Sequence, residues 1–165
     1  MIIVCMLCTT LVIEAVEGCN GYKLIVNRFE DCIPNSLVKI NKFDLVLDNN
    51  CYVIPSGCIT TTKGFTTATV HYIVSKPPIP TLEGDENACS YLRDYKDARM
   101  ASLFQLPKQC PVSANKVCGD ASKKISVSQY KSKLSLFAGN LSMKLDFTHD
   151  TGVSCINLHL TLKKN

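Results

Sequence analysis

The chain has no tryptophan, only three histidines and no run of like charges. Its formal charge is +4, spread thinly along 165 residues. A dispersed charge of that size leaves no electrostatic footprint for nucleic acid, and no nucleic-acid partner is expected. No Cys-x-x-Cys knuckle occurs, and no histidine stands at ligand spacing from a cysteine pair. Structural zinc needs such clusters, so neither a metal nor a cofactor is expected. A glycine-rich phosphate loop and a G-x-S-x-G nucleophile elbow are both missing. Asp150-Thr151-Gly152 occurs once, whereas aspartic-protease chemistry needs two carboxylates sharing a proton. Turn chemistry accounts for those three residues, and the expectation is that the protein is not an enzyme.

Long apolar runs are also scarce. Met1 to Ile13 (MIIVCMLCTTLVI) is uncharged but shorter than the about 20 residues of a membrane helix. It has the length of a secretory h-region, and Val16 and Gly18 are small enough for cleavage before Cys19. Residues 1–18 are therefore read as a signal peptide and residues 19–165 as a single domain. Cys5 and Cys8 fall in the signal. Eight cysteines remain: Cys19, Cys32, Cys51, Cys58, Cys89, Cys110, Cys118 and Cys155. An even count on the oxidising export route predicts disulfides, but spacing alone does not select the pairing.

Short runs of Thr, Val, Ile, Leu, Tyr and Phe predict strands at Tyr22–Phe29, Leu37–Leu47 and Gly64–Val74. In the last of these, Ala68, Val70, Tyr72 and Val74 share one face. The prolines of 75–80 end it, because proline donates nothing to a ladder. Residues 85–106 hold good helix formers and an approximate helical stripe, with Asp85 as N-cap and Pro107 as stop. One helix or two short pieces is expected there. Ile125–Phe137 is expected to add a strand or two. Leu141, Met143, Leu145 and Phe147 alternate with polar residues, and after the HDTG turn Ile156, Leu158, Leu160 and Leu162 do the same. That is a hairpin. The fold class is mostly β: an immunoglobulin-like two-sheet β-sandwich with one helical segment, stapled by disulfides.

The order of FEDC at 29–32, NACSYL at 87–92, KQCP at 108–111 and SCINLHLTLKK at 154–164 resembles the ML lipid-recognition superfamily. The likeness is to its ganglioside-activator branch and that branch's secreted insect relatives. The resemblance implies a lipid-sized cavity between the sheets. It implies pairs Cys32–Cys155 and Cys89–Cys110, with Cys51–Cys58 as a local loop and Cys19–Cys118 as the remainder.

A lipid carrier needs apolar walls. The candidate walls are Val70, Tyr72, Val74, Leu141, Met143, Leu145, Phe147, Leu158 and Leu160. By periodicity alone the same residues suit a filled core. Leu103, Phe104 and Leu106 are either a lip at the cavity mouth or the packing of the helix end. Lys123, Lys124, Lys131 and Lys133 either meet anionic lipid or solvate outward faces. Asn140-Leu141-Ser142 fits the N-glycosylation sequon, at Asn140. The expected function is a secreted, extracellular (or lysosomal) lipid-binding protein whose partners are a hydrophobic ligand and a membrane surface or receptor. The alternative is a secreted interaction protein, such as a venom component or chemosensory accessory factor, acting through its surface.

Overall fold

The computed structural model describes residues 19–96, 98–104 and 106–165. The expected signal peptide, with Cys5 and Cys8, lies outside the described residues. Among the described residues, nine strands form two antiparallel sheets. The larger sheet has the order β1 (Tyr22–Asp31), β9 (Gly152–Lys164), β8 (Gly139–His149), β4 (Ala68–Lys76), β5 (Ile79–Asn87). The smaller one has the order β2 (Val38–Leu47), β3 (Tyr52–Thr61), β6 (Asn115–Cys118), with the two-residue β7 (Ile125–Ser126) also beside β3. Among the described residues, three short α-helices sit in the connections: α1 (Ala88–Asp94), α2 (Ala98–Leu103) and α3 (Leu134–Phe137). Among the described residues, no helix is long and apolar enough to cross a membrane.

The alternation that predicts the hairpin works because side chains on a strand point to opposite faces in turn. β8 and β9 pair along their length, from Gly139 opposite Leu162 to His149 opposite Gly152, around Asp150 and Thr151. β3 escapes the pattern because Pro55 and Gly57 interrupt its apolar run. Pro55 is opposite Leu45 of β2. On its other side it falls between the stretches paired with β7 and β6, where no strand faces it. A missing N–H costs little there. Gly57 has φ +77°, and a Cβ on it would collide with the Lys42 carbonyl oxygen, where β2 shifts register. Gly57→Ala is expected to lower stability by about 3 kcal/mol, from backbone strain at a φ that favours glycine. Chemical denaturation measures it, and a loss within the error of a surface substitution would contradict the bulge geometry.

Two expected elements are corrected. Residues 79–87 are a strand, and the helix begins only at Ala88. Its cap is Asn87, whose side chain accepts from the Ser90 N–H at 2.9 Å, and not Asp85. β5 is an edge strand, where Pro80 is tolerated and the outward charges of Glu83 and Asp85 discourage further pairing. Ile125–Phe137 supplies only β7, then a 3-10 turn over Ser128–Lys133 and α3.

The structure pairs Cys32 with Cys155 and Cys89 with Cys110. It pairs Cys19 with Cys51 and Cys58 with Cys118, in place of the Cys51–Cys58 and Cys19–Cys118 bridges expected from the resemblance. Cys51 immediately precedes β3 and Cys58 lies within it. Seven extended residues span about 23 Å, far beyond the reach of one disulfide. Cys58 instead faces Cys118 directly across the β3–β6 register. Cys19, fully buried, reaches the turn at Cys51.

Candidate ligand-binding face

Antiparallel partners point to the same side of a sheet, so the register assigns every face. Val70 is opposite Phe147, Tyr72 opposite Leu145, and Val74 opposite Met143. Met143 is opposite Leu158, and Leu141 is opposite Leu160. All nine candidate wall residues therefore lie on one face of the larger sheet. β1 adds Val26 and Phe29 to it, opposite Leu160 and Leu158.

That face is not evenly sealed. The main apolar cluster gathers Phe43, Leu45, Leu47 and Val53 of the smaller sheet against Leu24, Val26, Phe29 and Leu162 at the β1 side. A second, smaller cluster joins Phe65, Ala68 and Ala88 to Val70 and Phe147. Among the described residues, Tyr72, Val74, Met143, Leu145 and Leu160 belong to neither cluster. Of the nine wall residues only Leu158 is buried, and the other eight are partly exposed. The Tyr72 side chain leans over β5 beside Gly84, where a Cβ would come within 2.6 Å of its hydroxyl. A residue larger than glycine at position 84 would push the ring off the edge strand.

The three residues expected at a mouth separate. Leu103 is buried in the main cluster, and Phe104 packs against it. The Phe104 ring stacks on Phe43 at 6.2 Å and meets the edge of Phe29 at 6.4 Å. Leu103 ends α2 and Phe104 follows it, both packed into the main cluster, and of the three only Leu106 is exposed. Of the two alternatives, lip or helix-end packing, these contacts match the packing one for Leu103 and Phe104.

At the far end of the same face sits His149, buried between aromatic rings: Phe65 at 4.3 Å and Phe147 stacked at 5.8 Å. Its Nε2 is 2.9 Å from the hydroxyl of buried Ser154, which itself accepts from the Val38 N–H. Burial pushes the His149 pKa down from the usual 6.5, and the neighbouring Asp150 carboxylate opposes this in part. A histidine kept neutral in the fold contributes nothing to pH dependence above 6.5. As pH falls below 6.5 the unfolded chain takes up the proton first, so stability declines until the lowered folded value is reached. His149→Phe is expected to flatten this decline, read as thermal midpoints from pH 7.5 down to 5; an unchanged slope would refute it.

Asp150 has a structural task. Its carboxylate accepts from the Thr66 N–H at 2.9 Å, the Thr66 hydroxyl at 2.6 Å and the Thr67 N–H at 3.3 Å. These bonds, the Thr66 hydroxyl first, hold its pKa below the ordinary carboxylate value. The Thr151 hydroxyl donates to the Gly64 carbonyl at 2.9 Å. The DTG turn thus ties the hairpin to the loop before β4.

The outer face is polar. His71 stands 3.0 Å from Asp85 and 3.3 Å from Glu83. Asn140 is the second residue of β8; it is exposed, and its side-chain oxygen accepts from the Thr161 hydroxyl at 2.8 Å. Two concavities stand out among the described residues. One of about 480 Å3 lies against the outer face beside Ser75, Ser142 and His159, and one of about 290 Å3 lies beside β7 at Lys124–Ser126. Neither is centred between the sheets. Of the four lysines noted in the sequence, Lys124 lies over the Tyr52 ring at 4.3 Å and Lys123 donates to the Cys118 carbonyl. Lys131 and Lys133 belong to the 3-10 turn before α3. Cys32, Asp146 and Cys155 come together as metal ligands would, but the two sulfurs are bonded to each other.

No family model matches the chain. Crystalline chicken MD-1, complexed with lipid IVa, aligns with 83% of this chain and 97% of its own, at 8% identity and a TM-score of 0.35; so distant a likeness carries no weight by itself. The chain is 30% identical over 151 residues to the sporozoite-associated mosquito saliva protein 1 of Anopheles gambiae, covering 87% of this chain and 83% of that protein. With a relative of that identity and coverage, on a two-sheet fold of the kind its cysteine order resembles, the chain belongs to the family of that mosquito saliva protein.

Proposed function

We propose that this protein is an extracellular carrier that holds a hydrophobic ligand between its sheets, against the apolar face of the larger one. The supporting observation is that eight of the nine apolar wall residues remain partly exposed although they line an inward face. Interiors normally pack as densely as organic crystals, with facing sheets interdigitated. A face left partly wet gains about 25 cal/mol for every Å2 that a ligand covers. An alkyl chain lying along Tyr72, Val74, Met143, Leu145 and Leu160 would be held by this term without a strong polar contact. Export, with removal of residues 1–18, is part of the reading: four disulfides require an oxidising compartment, and the relative is a saliva protein.

Titrating delipidated, oxidised protein with fluorescent fatty acids, glycolipids and long-chain hydrocarbons is expected to give saturable binding to at least one class. Saturation by none of them would end the carrier reading. The relative's name, which associates it with sporozoites, favours the second reading: a secreted protein that acts on a partner through its surface. That reading predicts no hydrophobe binding. Intact-mass measurement of exported material is expected to begin at Cys19 and to show a glycan on Asn140.

A further inference from the structure

The larger of the two concavities, about 480 Å3, lies on the outer face of the larger sheet, and its walls are polar without being charged. That volume falls in the range of small-molecule sites, about 300–1,000 Å3. Nine residues line it, and none is Asp, Glu, Lys or Arg. An ion would find no opposite charge there. An uncharged ligand rich in hydroxyls would find donors and acceptors.

The register builds this groove from four strands. Ser75 of β4 is opposite Ser142 of β8, and Ser142 is opposite His159 of β9. Asn140 and Thr161 are the next pair on the same face, two residues along. β1 completes the wall through a bulge. Val26 is opposite Leu160 and Arg28 is opposite His159, so Asn27 is the extra residue. A bulge re-aims a side chain, and here the Asn27 amide donates to the Thr161 hydroxyl at 2.6 Å. That hydroxyl donates in turn to the Asn140 side-chain oxygen at 2.8 Å. The Asn140 amide is thus held by its oxygen, and its Nδ2, the atom an N-linked sugar takes, is left free. Ser75, Ser142 and His159 have no hydrogen-bonding or ionic partner among the described residues. Arg28, the next in their row, is engaged by Glu30 at 3.4 Å.

We propose that this groove is a saccharide site, filled by the first sugars of a glycan linked to Asn140. Sugar hydroxyls meet the free groups of Ser75, Ser142 and His159, and exposed Pro77 gives the groove an apolar edge. The lining holds no Phe, Tyr or Trp, so a free saccharide finds no ring to stack on. Tethering at Asn140 offsets that weakness, because a short link gives an effective concentration of millimolar order. A glycan seated in this way covers β1, β9, β8 and β4 from outside and takes that face away from any protein partner. The inference rests on the expected glycosylation of Asn140. It is independent of ligand carriage, which uses the opposite face.

Histidine labelling with diethyl pyrocarbonate, read by peptide mass, tests it. Exported, glycosylated protein is compared with the same sequence refolded and oxidised from a bacterial host that adds no glycan. His159 is expected to react roughly tenfold more slowly in the glycosylated protein, the protection that two net hydrogen bonds would give. His71, beside Asp85 and Glu83 and outside the groove, is expected to react equally in both. Ser75→Leu fills one end of the groove; it is expected to keep the glycan mass and to restore His159 reactivity. Equal His159 reactivity in the two proteins, or equal slowing of His71, would overturn the proposal. So would protection of His159 in the glycan-free protein by micromolar N,N′-diacetylchitobiose, which would assign the groove to a foreign saccharide. Intact mass separates the two levels. Exported protein with no glycan ends the glycosylation reading and this inference together, whereas a glycan that leaves His159 reactive ends only the seating.

Discussion

Replacing Cys32 and Cys155 together by alanine is expected to lower the unfolding free energy by about 5 kcal/mol, more than removal of any other bridge. The two residues are 123 apart in sequence, against 60, 32 and 21 for the remaining pairs. Cross-linking restricts the unfolded chain, and the restriction grows with the logarithm of the closed loop. The same relation assigns about 3 kcal/mol to Cys89–Cys110. Location reinforces the ranking. Cys155 is buried in β9 and Cys32 follows β1, with the Cys32 N–H donating to the Cys155 carbonyl at 3.0 Å. The bridge therefore closes the end of the strand pair that carries the apolar face. Denaturant unfolding of the two double variants is the measurement. A smaller loss for Cys32/Cys155 than for Cys89/Cys110 would contradict the loop-length argument.

The second large effect concerns ligand capture. Val74→Phe is expected to reduce affinity for a hydrophobic probe at least tenfold while changing stability by less than about 1 kcal/mol. Val74 lies between Leu82 and Met143 in one cross-strand row of the face. It belongs to neither apolar cluster. In a filled interior the added ring would force neighbours off their rotamers and cost about 1–3 kcal/mol. In an open one it occupies the room the ligand would take, and burying it can even stabilise the fold. Measuring the probe's dissociation constant and the thermal midpoint on the same preparation separates these cases. A destabilised variant with undiminished affinity would show that the ligand, if any, binds elsewhere.

Comparison of elements explains why some were legible in the sequence. β8 and β9 alternate strictly, and period two has one structural meaning when a single side is buried. All nine wall residues consequently share a face, as their spacing implies. Residues 79–87 lack that signal: they are exposed along nearly their whole length, as an edge strand is allowed to be, with no regular alternation, and their last three residues, 85–87, read as the start of a helix. β3 is broken by Pro55 and Gly57, and both are tolerated for tertiary reasons, a gap between β7 and β6 and a bulge in β2. Leu103 and Phe104 suit a mouth or a packed helix end equally in sequence; burial of Leu103 in the main cluster and the rings of Phe29 and Phe43 around Phe104 favour packing.

By itself the sequence determined a disulfide-stapled, mostly β chain, its terminal hairpin and the apolar side of its larger sheet, because alternation and cysteine count are local properties that survive without coordinates. Only the tertiary structure decided which cysteines meet and which apolar residues stay partly wet. Those are relations between segments as much as 140 residues apart, such as Tyr22 and Lys164, and the register of the sheets sets them.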